Sequence, residues 1–307
     1  MPEKGLTGPG KCNRIEGEVK KMTEGALVLE GGSLRGVFTA GVLDVFMEKG
    51  ISLSYVNGVS AGSMAGMSYV SGQIGRTIKV DLDYVRDKRF LSFRNMVKNR
   101  SIFNFDFLFG ELSETLVPFD YDSFWKSPQK FEVVATRCKT GKPEYFEKCS
   151  SDDFINAVKA SSSIPILSGM VTVNGKKYLD GGCSLPIAYQ RAIDLGYEKI
   201  ILILTREKGY RKPPLDKWTK RGYERYFAPL PEFLKALKEV PDRYNRMQEE
   251  IERLEEDGRI YVIRPDKHVT VQRTEQDKRK LESLYEDGKR LAEENLEKLK
   301  YYLGISE

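Results

Sequence analysis

Short apolar runs of strand length alternate with helical patterns along most of this chain. The run at residues 26–30 is followed by a helical pattern with an apolar face, which Gly50 is placed to end. The run at 199–204 is too continuously apolar for a solvated face, so it predicts a central strand buried on both sides. This alternation predicts an α/β fold with a mainly parallel central sheet and helices on both faces.

Further elements follow from the same patterns. They are strands at 131–137 and 144–146 joined by a turn at 140–143, and helices at 153–160 and 186–195. We divide the chain into a flexible tail at 1–23, a core at 24–205 and a C-terminal extension at 206–307. The extension is expected to contain a mobile basic loop and two charged helices with a strand between them, all packed on the core. These elements span 206–225, 229–256, 275–303 and 259–263.

The pattern Gly-x-Ser-x-Gly stands at residues 58–62. It is typical of a nucleophilic serine held on a sharp turn between a strand and a helix. An apolar run precedes it and small residues follow it, as such a turn requires. Gly58 and Gly62 lack side chains, so the strand and the helix can approach closely around Ser60.

A second glycine-rich turn, Gly-Gly-Ser-Leu-Arg-Gly, occupies residues 31–36 between the first strand and the first helix. Bare N–H groups beside a helix N-terminus form an anion site, either for a phosphate or for the oxyanion of an acyl-transfer intermediate. The phosphate interpretation has less support. Ser33 stands where a dinucleotide-binding turn needs glycine, and no Gly-Lys-Ser/Thr follows. A plain tight turn without a ligand is the remaining alternative.

The third motif is Asp180-Gly181-Gly182, which follows a short strand. A carboxylate at a strand end, followed by two glycines, lies at a bend where it can face the same cleft as Ser60. Upstream, residues 160–165 read Ala-Ser-Ser-Ser-Ile-Pro, which resembles a helix end leading into a loop.

In this order, the three motifs resemble those of the patatin-like phospholipase family over roughly residues 24 to 205. The resemblance implies a three-layer sandwich with extra C-terminal helices, and a catalytic dyad in which Ser60 is the nucleophile and Asp180 its base. It also implies an oxyanion hole formed by the glycine-rich turn. The matching positions are Gly31, Gly32, Leu34, Arg35 and Gly36. Ser33 departs from the family, which usually has a third glycine there, and a positive φ at serine would cost on the order of 1 kcal/mol.

The implied activity is serine acyl hydrolysis of the lipase, esterase or phospholipase A type, without a metal or an organic cofactor. The implied substrate is a lipid or small acyl ester, either a phospholipid or a neutral ester. Burial would raise the pKa of Asp180 and make it a better base.

Two other functions compete with the dyad. The order Ser60, Asp180, His268 is that of an α/β-hydrolase triad, although His268 lies in a polar loop outside the resembling region. A non-catalytic lipid-binding scaffold of the same fold is the other alternative, for which Ser33 is the only hint.

An aromatic stretch at 94–120 suggests where lipid could bind. It includes Phe103, Phe105, Phe107 and Phe109, which would point the same way in an extended segment. We interpret these rings either as the border of an acyl-chain pocket or lid, or as ordinary core.

Composition adds limits. The chain has 307 residues, 40% hydrophobic and 31% charged, with a net charge of +5, which predicts no nucleic-acid partner but allows peripheral contact with a membrane. We find no apolar run long enough to span a membrane and no signal peptide. The scattered residues Cys12, Cys138, Cys149 and Cys183 lack metal-ligand spacing, which predicts reduced thiols and a cytoplasmic protein.

Overall fold

The computed structural model describes residues 22–92, 95, 101–149 and 151–305. Most of the predicted tail at 1–23, with Cys12, lies outside the described residues, as does residue 94 at the start of the aromatic stretch.

One mixed sheet organises the described chain. Its strands are β1 (Thr23–Leu29), β2 (Leu53–Val59), β3 (Lys130–Arg137), β4 (Pro143–Glu147), β5 (Val171–Val173), β6 (Lys176–Asp180), β7 (Ile200–Ile203) and β8 (Tyr261–Ile263). Their order is β5-β6-β3-β2-β1-β7-β8, and β4 also pairs with β3. Five neighbouring strands of the sheet run parallel to one another: β3, β2, β1, β7 and β8. At one side of the sheet, β4 and β6 pair antiparallel with β3, and β5 pairs antiparallel with β6. The predicted α/β fold with a mainly parallel sheet is therefore confirmed.

Helices cover both faces of this sheet. They are α1 (Gly36–Glu48), α2 (Ala61–Ser71), α3 (Arg76–Tyr84), α4 (Phe105–Phe107), α5 (Tyr121–Lys126), α6 (Asp152–Ser161), α7 (Tyr189–Asp194), α8 (Lys217–Phe227), α9 (Pro231–Lys238), α10 (Val240–Glu256), α11 (Lys278–Glu294) and α12 (Leu296–Leu303). A π-helical segment, Leu108–Leu116, continues α4, and short 3₁₀ turns lie at Ser33–Arg35 and Gly181–Cys183. No helix in the described ranges combines the length and the apolarity needed to cross a bilayer.

Alternate residues of β1 enter two separate cores, which explains its continuous apolar run. Leu27 and Leu29 pack with α1 and α2 on one face. Ala26 and Val28 pack with α7 and α10 on the other. Successive strand side chains point to opposite faces, so a strand covered on both sides needs apolar residues at every position.

The C-terminal extension continues this sheet. Its strand β8 pairs in parallel with β7, and α11 packs along α1. The extension therefore lies beside the core strands that carry the candidate site.

Several predicted boundaries were wrong. The basic stretch at 206–225 is irregular only up to Asp216, whose carboxylate then caps the N-terminus of α8. The helix predicted at 229–256 is divided into α9 and α10, because Pro241 has no N–H to continue a helical hydrogen-bond ladder. The segment at 186–195 becomes helical only at Tyr189, after Ile187 and Ala188 are buried against the sheet.

Candidate active site

Ser60 lies on the sharp turn between β2 and α2, as the sequence predicts, and its φ is 54°. Glycine allows this turn because neighbouring chain comes very close. A Cβ on Gly62 would lie 2.5 Å from the carbonyl oxygen of Leu29, and a Cβ on Gly31 would lie 3.0 Å from the Cβ of Ser60. A left-handed serine is strained, and such strain persists only where the surrounding structure fixes it.

Asp180 ends β6 and faces Ser60. The Ser60 hydroxyl donates a hydrogen bond of 2.9 Å to Oδ2 of Asp180, and the Gly182 amide donates one of 2.7 Å to Oδ1. Burial raises the pKa of Asp180, while the hydrogen bonds from Gly182 and Ser60 act in the opposite direction. The carboxylate is thus placed to accept the proton of the serine.

The serine-rich segment at 161–163, where α6 ends, holds both residues in place. The Ser60 amide donates a hydrogen bond of 2.8 Å to the hydroxyl of Ser161. The Asp180 amide donates one of 2.9 Å to the carbonyl oxygen of Ser163. From the sequence, this segment was predicted only as a helix end leading into a loop, and its run of three serines does not indicate these distant partners.

The glycine-rich turn lies directly beside Ser60. Gly31 and Gly32 lead into the 3₁₀ turn, and the amides of Gly32 and Ser33 donate no hydrogen bond to another described residue. Ser33 has a φ of 52°, and its hydroxyl donates a hydrogen bond of 2.7 Å to the carbonyl oxygen of Arg273. Serine therefore adopts the left-handed conformation that glycine would favour. These free amides could hold an oxyanion at Ser60.

The other positions of this turn face inward. Leu34 and Arg35 are both buried, and a Cβ on Gly36 would lie 2.9 Å from the Cβ of Ala61 at the start of α2. The turn is thus packed against the helix that follows the serine.

Two cavities meet at Ser60. The smaller one, of about 80 Å³, has walls that include Leu34, Ala61 and Met64. The larger one, of about 900 Å³, contains Asp180 and many polar side chains. Since Ser60 lines both, an ester at its hydroxyl could extend in two directions.

The four phenylalanines do not act together as an extended segment would predict. The chain becomes helical at Phe105, so the rings two residues apart diverge. Phe103 and Phe105 line the small cavity. Phe107 is buried against Tyr84, and Phe109 packs against Phe105.

His268 lines the large cavity but pairs with Glu207 instead of with the serine or the aspartate. Its Nδ1 is 2.7 Å from Oε1 of Glu207, and its side chain is 75% exposed. No hydrogen bond joins it to Ser60 or Asp180 within the described residues, so this arrangement is not that of a Ser-His-Asp triad.

Comparison with known proteins identifies the family. The model described as "Patatin-like phospholipase" matches residues 27–191, which include the elbow, the glycine-rich turn and Asp180. The chain belongs to the patatin-like phospholipase family. This membership supports acyl-ester hydrolysis of the phospholipase type in general. A second model, "Domain of unknown function (DUF6363)", matches residues 230–304.

Two other proteins are similar to this patatin-like protein over much of its length. It is 30% identical to "Uncharacterized protein YjjU" of Escherichia coli over 249 residues, covering 79% of this chain and 68% of the relative. It is 28% identical to "Probable lipid hydrolase 463L" of Invertebrate iridescent virus 6 over 176 residues, covering 51% of this chain and 59% of the viral protein. Among solved structures, VipD from Legionella pneumophila matches with a TM-score of 0.43 at 12% identity, over 91% of this chain and 67% of VipD.

The Ser161 contact generates a prediction. Ser161→Ala leaves the buried Ser60 amide without its acceptor, at a cost of about 1–3 kcal/mol. We expect at least a tenfold slower reaction of Ser60 with a fluorophosphonate probe, measured by labelling kinetics. Ser163→Ala is the control, because that residue holds Asp180 through its backbone carbonyl. Equal labelling rates in the two variants would contradict a positioning role for the Ser161 hydroxyl.

Proposed function

We propose that this patatin-like protein is a serine acyl hydrolase that cleaves lipid acyl esters through a Ser60–Asp180 dyad. The observation that carries the proposal is the 2.9 Å hydrogen bond from the Ser60 hydroxyl to Asp180, at a strained turn that opens on two cavities. The similarity to the viral protein described as a probable lipid hydrolase supports the same substrate class.

The proposed reaction has two stages. The Ser60 oxygen attacks the ester carbonyl and its proton passes to Asp180, while the amides of the glycine-rich turn hold the oxyanion. The proton then goes to the leaving alcohol and an acyl-enzyme remains. Asp180 next takes a proton from water, whose oxygen attacks the acyl group. The bond to the Ser60 oxygen then breaks, Asp180 returns the proton to that oxygen, and the acid is released. A raised pKa makes Asp180 a better match for a base near neutral pH.

Location is part of the proposal. The described cysteines Cys138, Cys149 and Cys183 are free thiols, which supports a reducing compartment such as the cytoplasm. Peripheral membrane contact is best supported at α8. Its outer face exposes Trp218, Tyr226 and four cations, while Thr219 and Tyr223 on its inner face line the large cavity. The cations are Lys217, Lys220, Arg221 and Arg225.

The dyad is tested by three substitutions. Ser60→Ala and Asp180→Asn should each lower kcat by several orders of magnitude, because each removes a reacting group. His268→Ala should change the rate by less than about threefold, which is under 1 kcal/mol of barrier. The measurements are ester hydrolysis and mass-spectrometric mapping of the residue labelled by a fluorophosphonate. Labelling at another residue, or a loss of activity in His268→Ala as large as that in Ser60→Ala, would contradict the proposed Ser60–Asp180 dyad. A folded wild-type protein that neither labels nor hydrolyses esters would favour the non-catalytic scaffold.

Acyl selectivity should depend on Phe105 and not on Phe107. Each methylene that packs in the small cavity contributes about 0.8 kcal/mol, or roughly fourfold in kcat/KM. Phe105→Ala removes a wall of that cavity, so the dependence of kcat/KM on ester chain length should flatten. Phe107→Ala is the matched control and should lower Tm while keeping the wild-type profile. The acyl-pocket assignment fails if the two variants show the same profile.

Membrane contact should depend on the outer face of α8. The triple variant Trp218→Ala, Lys220→Gln, Arg221→Gln should bind vesicles containing phosphatidylglycerol at least tenfold more weakly, because each basic residue contributes about 1 kcal/mol at an anionic surface. Co-sedimentation at two salt concentrations measures this. The control variant, Lys298→Gln with Tyr301→Ala, removes charge and an exposed ring from α12. That helix contacts Ile200, the first residue of β7, and so lies at the amino-terminal ends of the parallel strands, whereas Ser60 lies at their carboxyl ends. Equal losses in both variants would reject α8 as the contact.

A further inference from the structure

Four cationic side chains converge on the large cavity beside Ser60. They are Arg35, Arg206, Lys212 and Arg273. The first belongs to the glycine-rich turn and the others come from the C-terminal extension. Within the described residues, none of the four forms an ion pair with a carboxylate, whereas their neighbour Arg211 is paired with Glu252 at 2.9 Å.

Arg35 is buried without a partner. Its side chain lines the cavity, the residue is only 7% exposed, and its Nε has no hydrogen-bond acceptor. Burial lowers its pKa to about 10, and the nearby charge of Arg206 acts in the same direction. The nearby charge of Glu30 acts in the opposite direction, but its carboxylate forms no ion pair with Arg35. A buried guanidinium without a directly paired carboxylate is costly, so the position favours an incoming negative group.

Lys212 is a half-buried cation that lines the same cavity. Its ammonium lies 4.0 Å from the centre of the Tyr244 ring, and no described acceptor forms a hydrogen bond with it. Burial lowers its pKa to about 8. Two hydrogen bonds join its backbone to the Asn245 side chain, which fixes the loop that carries it.

The carboxylates that line the cavity are already engaged. Glu30 accepts hydrogen bonds from the Thr205 amide and hydroxyl and from the Tyr244 hydroxyl. Asp180 accepts from the nucleophile and one amide, and Asp216 caps α8. These acids therefore have donors, whereas the cations lack acceptors of matching charge.

The cavity also offers little to a cationic head group. Two of its three tyrosines already carry a protein cation: Arg206 lies 4.5 Å from the centre of the Tyr210 ring, and Lys212 covers Tyr244. A quaternary ammonium is usually held by several free aromatic faces, and here only Tyr223 remains.

We propose that this cationic cavity binds the head group of an anionic lipid. The enzyme would then prefer acyl esters whose alcohol carries a phosphate group and no cationic group beyond it. The acyl chain enters the small apolar cavity, the ester lies at Ser60, and the phosphate lies among Arg206, Lys212 and Arg273. The inference rests on the proposed hydrolase function and adds the class of its alcohol.

The test compares kcat/KM on esters of equal acyl chain in uncharged detergent micelles, which remove the effect of membrane charge. The substrates are phosphatidylglycerol, phosphatidylcholine and diacylglycerol. Wild type should prefer phosphatidylglycerol over the other two by about tenfold, the size of a charge-assisted hydrogen bond. Lys212→Met should lower this ratio about tenfold. Lys208→Met is the matched control, because Lys208 is exposed on the same loop and does not line the cavity.

The outcomes separate the two proposals. Equal rates on all three lipids, or a ratio that Lys212→Met does not change, overturn the subsite and leave the hydrolase function standing. If no ester is hydrolysed, the hydrolase function fails. Inhibition of phosphatidylglycerol hydrolysis by glycerol 3-phosphate, weakened by Lys212→Met, supports the head-group site. Inhibition by inorganic phosphate alone, with no lipid preference, identifies a free-phosphate site and overturns the proposal.

Discussion

The close approach of β1, β2 and α2 around Ser60 is the constraint on which the site depends. A side chain at Gly62 would run into the carbonyl of Leu29, and one at Gly31 would press on Ser60 itself. Because these positions have no Cβ, the serine can occupy a left-handed turn and present its hydroxyl at the carboxyl edge of the sheet. The same approach places the free amides of the glycine-rich turn next to that hydroxyl.

Pairing between strands that are distant in the sequence brings Ser60 and Asp180 together. Ser60 and Asp180 are 120 residues apart, and they meet because β6 pairs antiparallel with β3, next to β2. A single aspartate is a weak base in water. Burial here raises the pKa of Asp180. The Ser161 hydroxyl and the Ser163 carbonyl accept hydrogen bonds from the amides of Ser60 and Asp180, which holds the two residues in place.

Local sequence patterns predicted the strands and helices better than they predicted the contacts between distant residues. The apolar run at 26–30 predicted a strand and that at 199–204 a central strand, because burial on both faces leaves a signal in consecutive residues. The elbow at 58–62 was equally local. Asp180 needed the family resemblance, since Asp-Gly-Gly alone indicates only a turn. The hydroxyl of Ser161 could not be predicted, because its partner is a backbone amide 101 residues away. Composition misled at 206–225, where the capping residue Asp216 was the better signal.

Ser33 links the glycine-rich turn to the C-terminal extension, a contact that glycine at this position could not form. Its left-handed backbone costs on the order of 1 kcal/mol, and a hydrogen bond contributes about as much. The bond from its hydroxyl to the Arg273 carbonyl therefore offsets the strain. Glycine would relieve the backbone but could not hold this segment. The serine thus keeps Arg273, and with it one wall of the cationic cavity, next to Ser60.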